Sequence, residues 1–181
     1  MSQRESPMAA HMFGHCRSSP YILRMTTLGL VFTLVLAFVA CDGTGGDSPT
    51  TLPTRTITVH SADGGISEKM TVELATTRRQ REQGLMYRQS LAEDRGMLFL
   101  FRGEVSGGFW MKNTYVPLTI AYLDTSGRVV ALRDGKPLDT TVLYPDTLFH
   151  AVLEVNQGWF ERHGMGLGAI VDLPADAPEP E

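Results

Sequence analysis

Cysteine is almost absent. The 181 residues hold two, Cys16 and Cys41. Cleavage before Cys41 would remove Cys16, so neither a disulfide framework within the chain nor a cysteine-built zinc site is expected. Other signatures are missing too. His60, His150 and His163 are scattered, without the spacing that sets two imidazoles on one helix face. There is no Gly-x-Ser-x-Gly elbow and no phosphate-cradling loop; Gly164-Met165-Gly166-Leu167-Gly168 reads as a turn before a strand. Internal repeats and long amphipathic helices are also lacking. The sequence therefore gives no reason to expect a metal or cofactor, and an enzyme would have to work without the usual nucleophile–base pair.

Charge is missing from one place in particular. Met25–Ala40 contains no charged residue, and the apolar run Leu28–Ala40 ends directly on Cys41. Arg17 and Arg24 precede the run, small Ala40 stands before the cysteine, and together these make the three parts of a secretory signal. The run is shorter than the ~20 residues a spanning helix needs. The acidic, Gly-rich stretch that follows is also unlike a basic cytoplasmic flank. Phe38-Val39-Ala40-Cys41 resembles a bacterial lipobox, which implies a signal over residues 1–40, lipidation of Cys41 and a membrane partner reached through that anchor. Acyl chains give stable anchoring because each buried methylene contributes about 0.8 kcal/mol. The expected location is the cell envelope, with the domain outside the cytoplasm and on the periplasmic side in a Gram-negative cell. Removing residues 1–40 leaves 13 basic against 19 acidic side chains, a net charge of −6. An acidic extracytoplasmic domain is a poor partner for nucleic acid.

Residues 41–54, rich in Gly, Ser, Thr and Pro, read as a flexible tether. Residues 174–181, with Pro174, Pro178 and Pro180 among acids, read as a disordered tail. The folded part is then 55–173, and period-2 alternation dominates it. Ile57 and Val59 alternate with threonines; Met70, Val72 and Leu74 alternate with Thr71 and Glu73, and the intervening Ala62–Gly65 turn makes the two runs a hairpin. Thr77 and Gln80 form a capping-box pattern and Gly84 suits a helix terminus, so Arg78–Gln83 is predicted helical. Gly96–Phe101 is a continuous apolar run, fit for a strand buried on both faces. Leu118–Leu123 and Arg128–Leu132 make a second hairpin, His150–Val155 and Ala169–Leu173 two more strands, and Trp159–His163 a helical turn. The predicted fold is mainly β, a single-domain sandwich or barrel-like structure with one or two short helices.

Four clusters stand out: Arg81…Gly84-Leu85-Met86-Tyr87-Arg88, Gly96-Met97-Leu98-Phe99, Phe109-Trp110-Met111-Lys112-Asn113-Thr114…Pro117-Leu118, and Val152-Leu153-Glu154-Val155…Gly158. In that order and spacing they resemble the DUF192 family over Thr71–Leu173. The resemblance implies a compact, mainly β domain and no established activity. The chain departs from the family pattern at Thr119, where Asp is common, and at Gly168-Ala169, where Gly-Asp is frequent. A carboxylate role at either position would be absent here.

Phe109–Thr114 combines aromatics with polar groups. As a strand it would place Trp110, Lys112 and Thr114 on one face and Phe109, Met111 and Asn113 on the other. That allows a pocket with Trp110 as an apolar wall, Lys112 as an anion contact, and Asn113 or Thr114 as hydrogen-bonding groups; it equally allows core filling by Phe109 and Met111 with Asn113 and Thr114 serving a turn. From Arg78 to Lys112 the balance is seven basic to four acidic residues, against six to fifteen in the rest of the mature chain. A basic patch on an acidic domain points to an anionic envelope ligand (a carboxylate, phosphate or acidic glycan) or a partner protein, with Arg81 and Arg88 as the first candidates. Glu154 lies in an apolar strand. Alternation turns it away from Leu153 and Val155, either to solvent or inward toward Arg81, Arg88 or Lys112. The sequence thus leaves three readings: a ligand-binding domain, a hydrolase or lyase using Glu154 with Lys112 or Arg88, and a structural or assembly module.

Overall fold

The computed structural model describes residues 51–181. The signal at 1–40, Cys41 and most of the tether lie outside the described residues. Seven strands form one sheet: β1 (Thr54–His60), β2 (Ser67–Ala75), β3 (Arg95–Val105), β4 (Leu118–Leu123), β5 (Val129–Gly135), β6 (Phe149–Asn156) and β7 (Ile170–Val171). Their order is β5-β4-β6-β3-β2-β1-β7. The sheet curls into a half-barrel. Its two edges meet where Arg128 bridges Ile170, with the Val129 amide donating to the Ala169 carbonyl and that of Val171 to the Gly127 carbonyl. The mainly β, barrel-like expectation is met by this single curled sheet.

Local sequence accounts for most of the elements. The β1–β2 and β4–β5 pairs are the two expected antiparallel hairpins. Helix α1 (Arg78–Gln83) starts at a capping box: the Gln80 amide donates to the Thr77 hydroxyl, and the Gln80 side chain accepts from the Thr77 amide. Gly84 ends it at φ 47°, a conformation costly for residues with a Cβ. Because α1 separates β2 from β3, those strands run parallel. Helix α2 (Trp159–Arg162) buries Trp159 and Phe160. The strand expected over Ala169–Leu173 shortens to two residues, since β7 pairs only with the end of β1.

Two apolar cores result. The first draws on all seven strands, including Val59, Val72, Leu98, Leu123, Val129, Leu153 and Val171, and fills the inside of the curl with Trp159 and Phe160. The second lies on the opposite face of β3, β4 and β6, with Met97, Phe99, Ile120, Tyr122 and Val152 roofed by Leu85, Met111 and Val116. The central strands are therefore buried on both faces, as the unbroken run in β3 implies.

Both expected boundaries shift outward. Leu52 packs on the second core and the Pro53 carbonyl accepts from the Leu74 amide, so the domain begins before residue 55. The segment expected to be a disordered tail is docked instead. Asp176 pairs with Arg55, the Pro180 carbonyl accepts from Arg102, and the Glu181 amide donates to the Thr76 carbonyl. Ala177 adds apolar contact to the first core. Composition alone does not show that basic partners lie across the tail's path.

Candidate functional site

Glu154 sits on β6, the strand paired with β3 on one side and β4 on the other. The registers place Glu73, Met97, Glu154, Ile120 and Arg133 in one row across the sheet. Alternation does turn Glu154 away from Leu153 and Val155. The face it turns to is the second core, not solvent, and Glu154 is only 4% exposed. Its carboxyl takes part in no hydrogen bond or ion pair among the described residues, and it reaches the wall of a cavity. Burial alone raises its pKa to about 8, with no neighbouring cation contributing.

The carboxyl opens onto a cavity of about 440 Å³ between α1, β3 and the loop that follows β3. Five aromatic rings stand in its wall, beside the polar side chains of Arg78, Arg81, Glu82 and Gln83 from α1. Phe99 meets Phe109 edge-on at 5.0 Å, and Phe101 meets Phe149 at 5.4 Å. Tyr122 buttresses Phe149 at 5.1 Å and donates its hydroxyl to the Leu143 carbonyl at 2.5 Å. The roof is pinned by a two-way backbone bridge between Phe109 and Leu143. Gly108 permits this approach, because a Cβ there would meet the Leu143 carbonyl at 2.5 Å. Leu85, Met86 and Thr114 complete the wall beside half-exposed Trp110.

Of the seven expected site residues, Arg81, Trp110, Thr114 and Glu154 line this cavity, while Arg88, Lys112 and Asn113 do not. Arg81 is a clamp: its guanidinium donates to the carbonyls of Thr76, Leu100 and Glu181 and lies 4.9 Å over the Phe101 ring. Arg88 forms a bidentate pair with Glu73 at 2.5 and 2.6 Å, and this bond raises the guanidinium's pKa. Lys112 stacks over Trp110 at 5.2 Å from outside the cavity. Asn113 donates to the Tyr87 hydroxyl at 2.9 Å.

Phe109–Thr114 is a loop, so the facing a strand would give its residues does not hold, and Met111 and Phe109 fill the core as the alternative reading allowed. Phe109 makes one bridge to Leu143, the Met111 amide donates to the Asp139 carbonyl, and the chain turns so that the Thr114 amide reaches the Met111 carbonyl. Met111 and Thr114 are buried and Trp110 and Lys112 exposed, an order no period-2 pattern gives. Tyr87, Asn113 and Leu138 all take positive φ, at 65°, 56° and 65°. Backbone bonds lock the three loops together, from the Tyr87 amide to Asn113 and from the Leu138 amide to Thr114. Such conformations cost about 1–3 kcal/mol each and gather at functional sites.

The basic stretch also looks different once folded. Arg78 pairs with Glu82, Arg88 with Glu73, and Arg102 with a tail carbonyl, so the excess charge is dispersed over internal partners. Thr119, at a departure from the family pattern, donates to Asp134 and accepts from the Gly158 amide, on the sheet face opposite to Glu154. Among the described residues no three His, Cys, Asp or Glu side chains are grouped to hold a metal ion. The aromatic walls escaped sequence reasoning. Phe99 and Phe101 carry no signal beyond that of core residues, and Phe149 comes from a strand fifty residues away in the sequence.

The comparison with curated proteins finds no match. Two solved structures are similar over the described domain. One is a Sinorhizobium meliloti 1021 protein described as a candidate transcription regulator, 31% identical, with a TM-score of 0.66 over 69% of this chain and 97% of that one. The other is a protein of unknown function from Novosphingobium aromaticivorans DSM 12444, 33% identical, with a TM-score of 0.64 over 70% of this chain and 90% of that one. The family model of DUF192 (Uncharacterized ACR) matches residues 58–173, the span that holds the cavity and all four sequence clusters. The chain belongs to the DUF192 family.

Proposed function

We propose that this protein is an envelope lipoprotein, tethered through Cys41, whose DUF192 domain binds a small and largely apolar molecule in the cavity at Glu154. One observation carries the reading: a buried carboxyl without a partner opens into a ring-lined cavity of about 440 Å³. Burying a polar group without a hydrogen bond costs several kcal/mol in apolar surroundings, and a ligand supplying that bond would recover it. Cavities of this size with few polar groups are typical of small-molecule sites. With Arg78 held by Glu82 and Arg81 by main-chain oxygens, the uncompensated Glu154 carboxyl favours a neutral or cationic ligand over the anionic one suggested by the linear charge count. A hydrolase or lyase using Glu154 with Lys112 or Arg88 has less support, since neither cation lines the cavity. An assembly module would leave the cavity and its carboxyl without a use.

Two expected outcomes test the reading. Small aromatic probes such as benzyl alcohol should shift amide resonances of the cavity walls, and Trp110→Ala should weaken that binding by about fivefold through loss of aromatic contact. No cavity shift with any probe would refute a ligand site. Cys41→Ser should move the protein from the membrane to the soluble fraction; unchanged membrane association would refute the anchor.

A further inference from the structure

Resting on the reading of this cavity as a ligand site, we infer that its ligand is an amine, whose protonated nitrogen pairs with Glu154 while its apolar body lies among the phenylalanine rings. No positive charge acts on the cavity's one deeply buried acid, although Arg78 and Arg81 stand in its wall. The cations of the surrounding elements are directed elsewhere. On α1, Arg78 holds Glu82 and Arg81 holds three carbonyls. Toward β2, Arg88 and Glu73 neutralise each other two strands from Glu154, about 10 Å at ordinary strand spacing. On β5, Arg133 reaches the Tyr144 carbonyl and Asp146. On β4, Tyr122 is a neutral phenol turned to the Leu143 carbonyl. A ligand ammonium group is the remaining complement. Aromatic rings suit it as well, because their faces attract cations, as Lys112 over Trp110 already illustrates. An anionic ligand would face repulsion from Glu154 whenever that carboxyl ionised.

Binding of a cation must ionise Glu154, so the proton leaves as the ammonium arrives. With a free-state pKa of about 8, binding at pH 7 releases about 0.9 proton per ligand. Affinity then rises about tenfold from pH 6 to pH 7 and levels off above pH 8. An amine, an alcohol and an acid of matched size distinguish the possibilities: benzylamine, benzyl alcohol and benzoate. Cavity-wall amide shifts report where each binds, and calorimetry in two buffers of different ionisation heat counts protons. Benzylamine is expected to bind in the cavity more tightly than the other two, with proton release. Glu154→Gln should weaken it at least tenfold at pH 8 and abolish the pH slope, while a retained amide spectrum shows the variant folded. Tighter binding of benzoate, pH-independent binding of benzylamine, or unchanged affinity in Glu154→Gln would overturn the amine assignment and leave the ligand site standing. Silence from all three probes would overturn both.

Discussion

Glu154→Gln is expected to stabilise the ligand-free domain at alkaline pH, by on the order of 4 kcal/mol at pH 8.5, and to change little near pH 4.5. The sign follows from the two protonation equilibria. Unfolded, Glu154 titrates near 4.5; folded, burial raises it to about 8. The folded state therefore holds the proton more tightly, and the unfolded state binds fewer protons between those values. Stability contributed by the neutral carboxyl is fully present below pH 4.5 and is lost progressively as pH rises to 8. Each unit of difference corresponds to about 1.4 kcal/mol. Glutamine cannot ionise and keeps nearly the same shape, so its stability curve should lack this descent. Urea unfolding of both proteins at pH 5, 7 and 8.5 measures it. Parallel curves would mean that Glu154 does not remain protonated in the fold.

Arg81→Ala should destabilise the domain by about 2–3 kcal/mol without any ligand present. The sequence presents Arg81 as an anion-binding candidate, but the fold uses its guanidinium to join α1, β3 and the C-terminal segment through the Thr76, Leu100 and Glu181 carbonyls. Hydrogen bonds to a charged group contribute about 1.5–3 kcal/mol each, and truncation removes all three at once, although the Thr76 carbonyl keeps the Glu181 amide and Glu181 is open to water. Burial opposes the charge, lowering the guanidinium's pKa, but not enough to neutralise an arginine. Arg88→Ala should cost less, about 1 kcal/mol, because that pair is about one-third exposed to solvent. Denaturant midpoints for the two variants give the comparison. If Arg81→Ala left stability intact and affected ligand binding alone, Arg81 would be a recognition group and not a clamp.

What the sequence made legible is what depends on near neighbours. The Thr77–Gln80 box and Gly84 delimit α1, and the alternation in Met70–Leu74 and the unbroken run in Gly96–Phe101 locate β2 and β3. The side of β6 that Glu154 faces was also readable. Its surroundings were not, because whether that side meets water depends on strand order and on loops from elsewhere in the chain. The path of Phe109–Thr114 was left open for the same reason. Its residues carry a strand-like pattern, but their backbone partners, Leu143 and Asp139, come from after β5 and impose a turn. The basic stretch misled because charge counts ignore pairing across distance. Arg88 finds Glu73, Arg102 finds the tail, and Arg162 finds Glu93, each contact set by the fold.

Glu154 stays uncharged in the free domain until a cation enters the cavity. The most direct measurement is the pH titration of its side-chain carboxyl carbon by NMR, without and with saturating benzylamine. The expected result is a midpoint near 8 in the free protein and a fall of more than one unit when the amine is bound. A midpoint near 4.5 in the free protein, or one near 8 that the bound amine leaves unmoved, would contradict it.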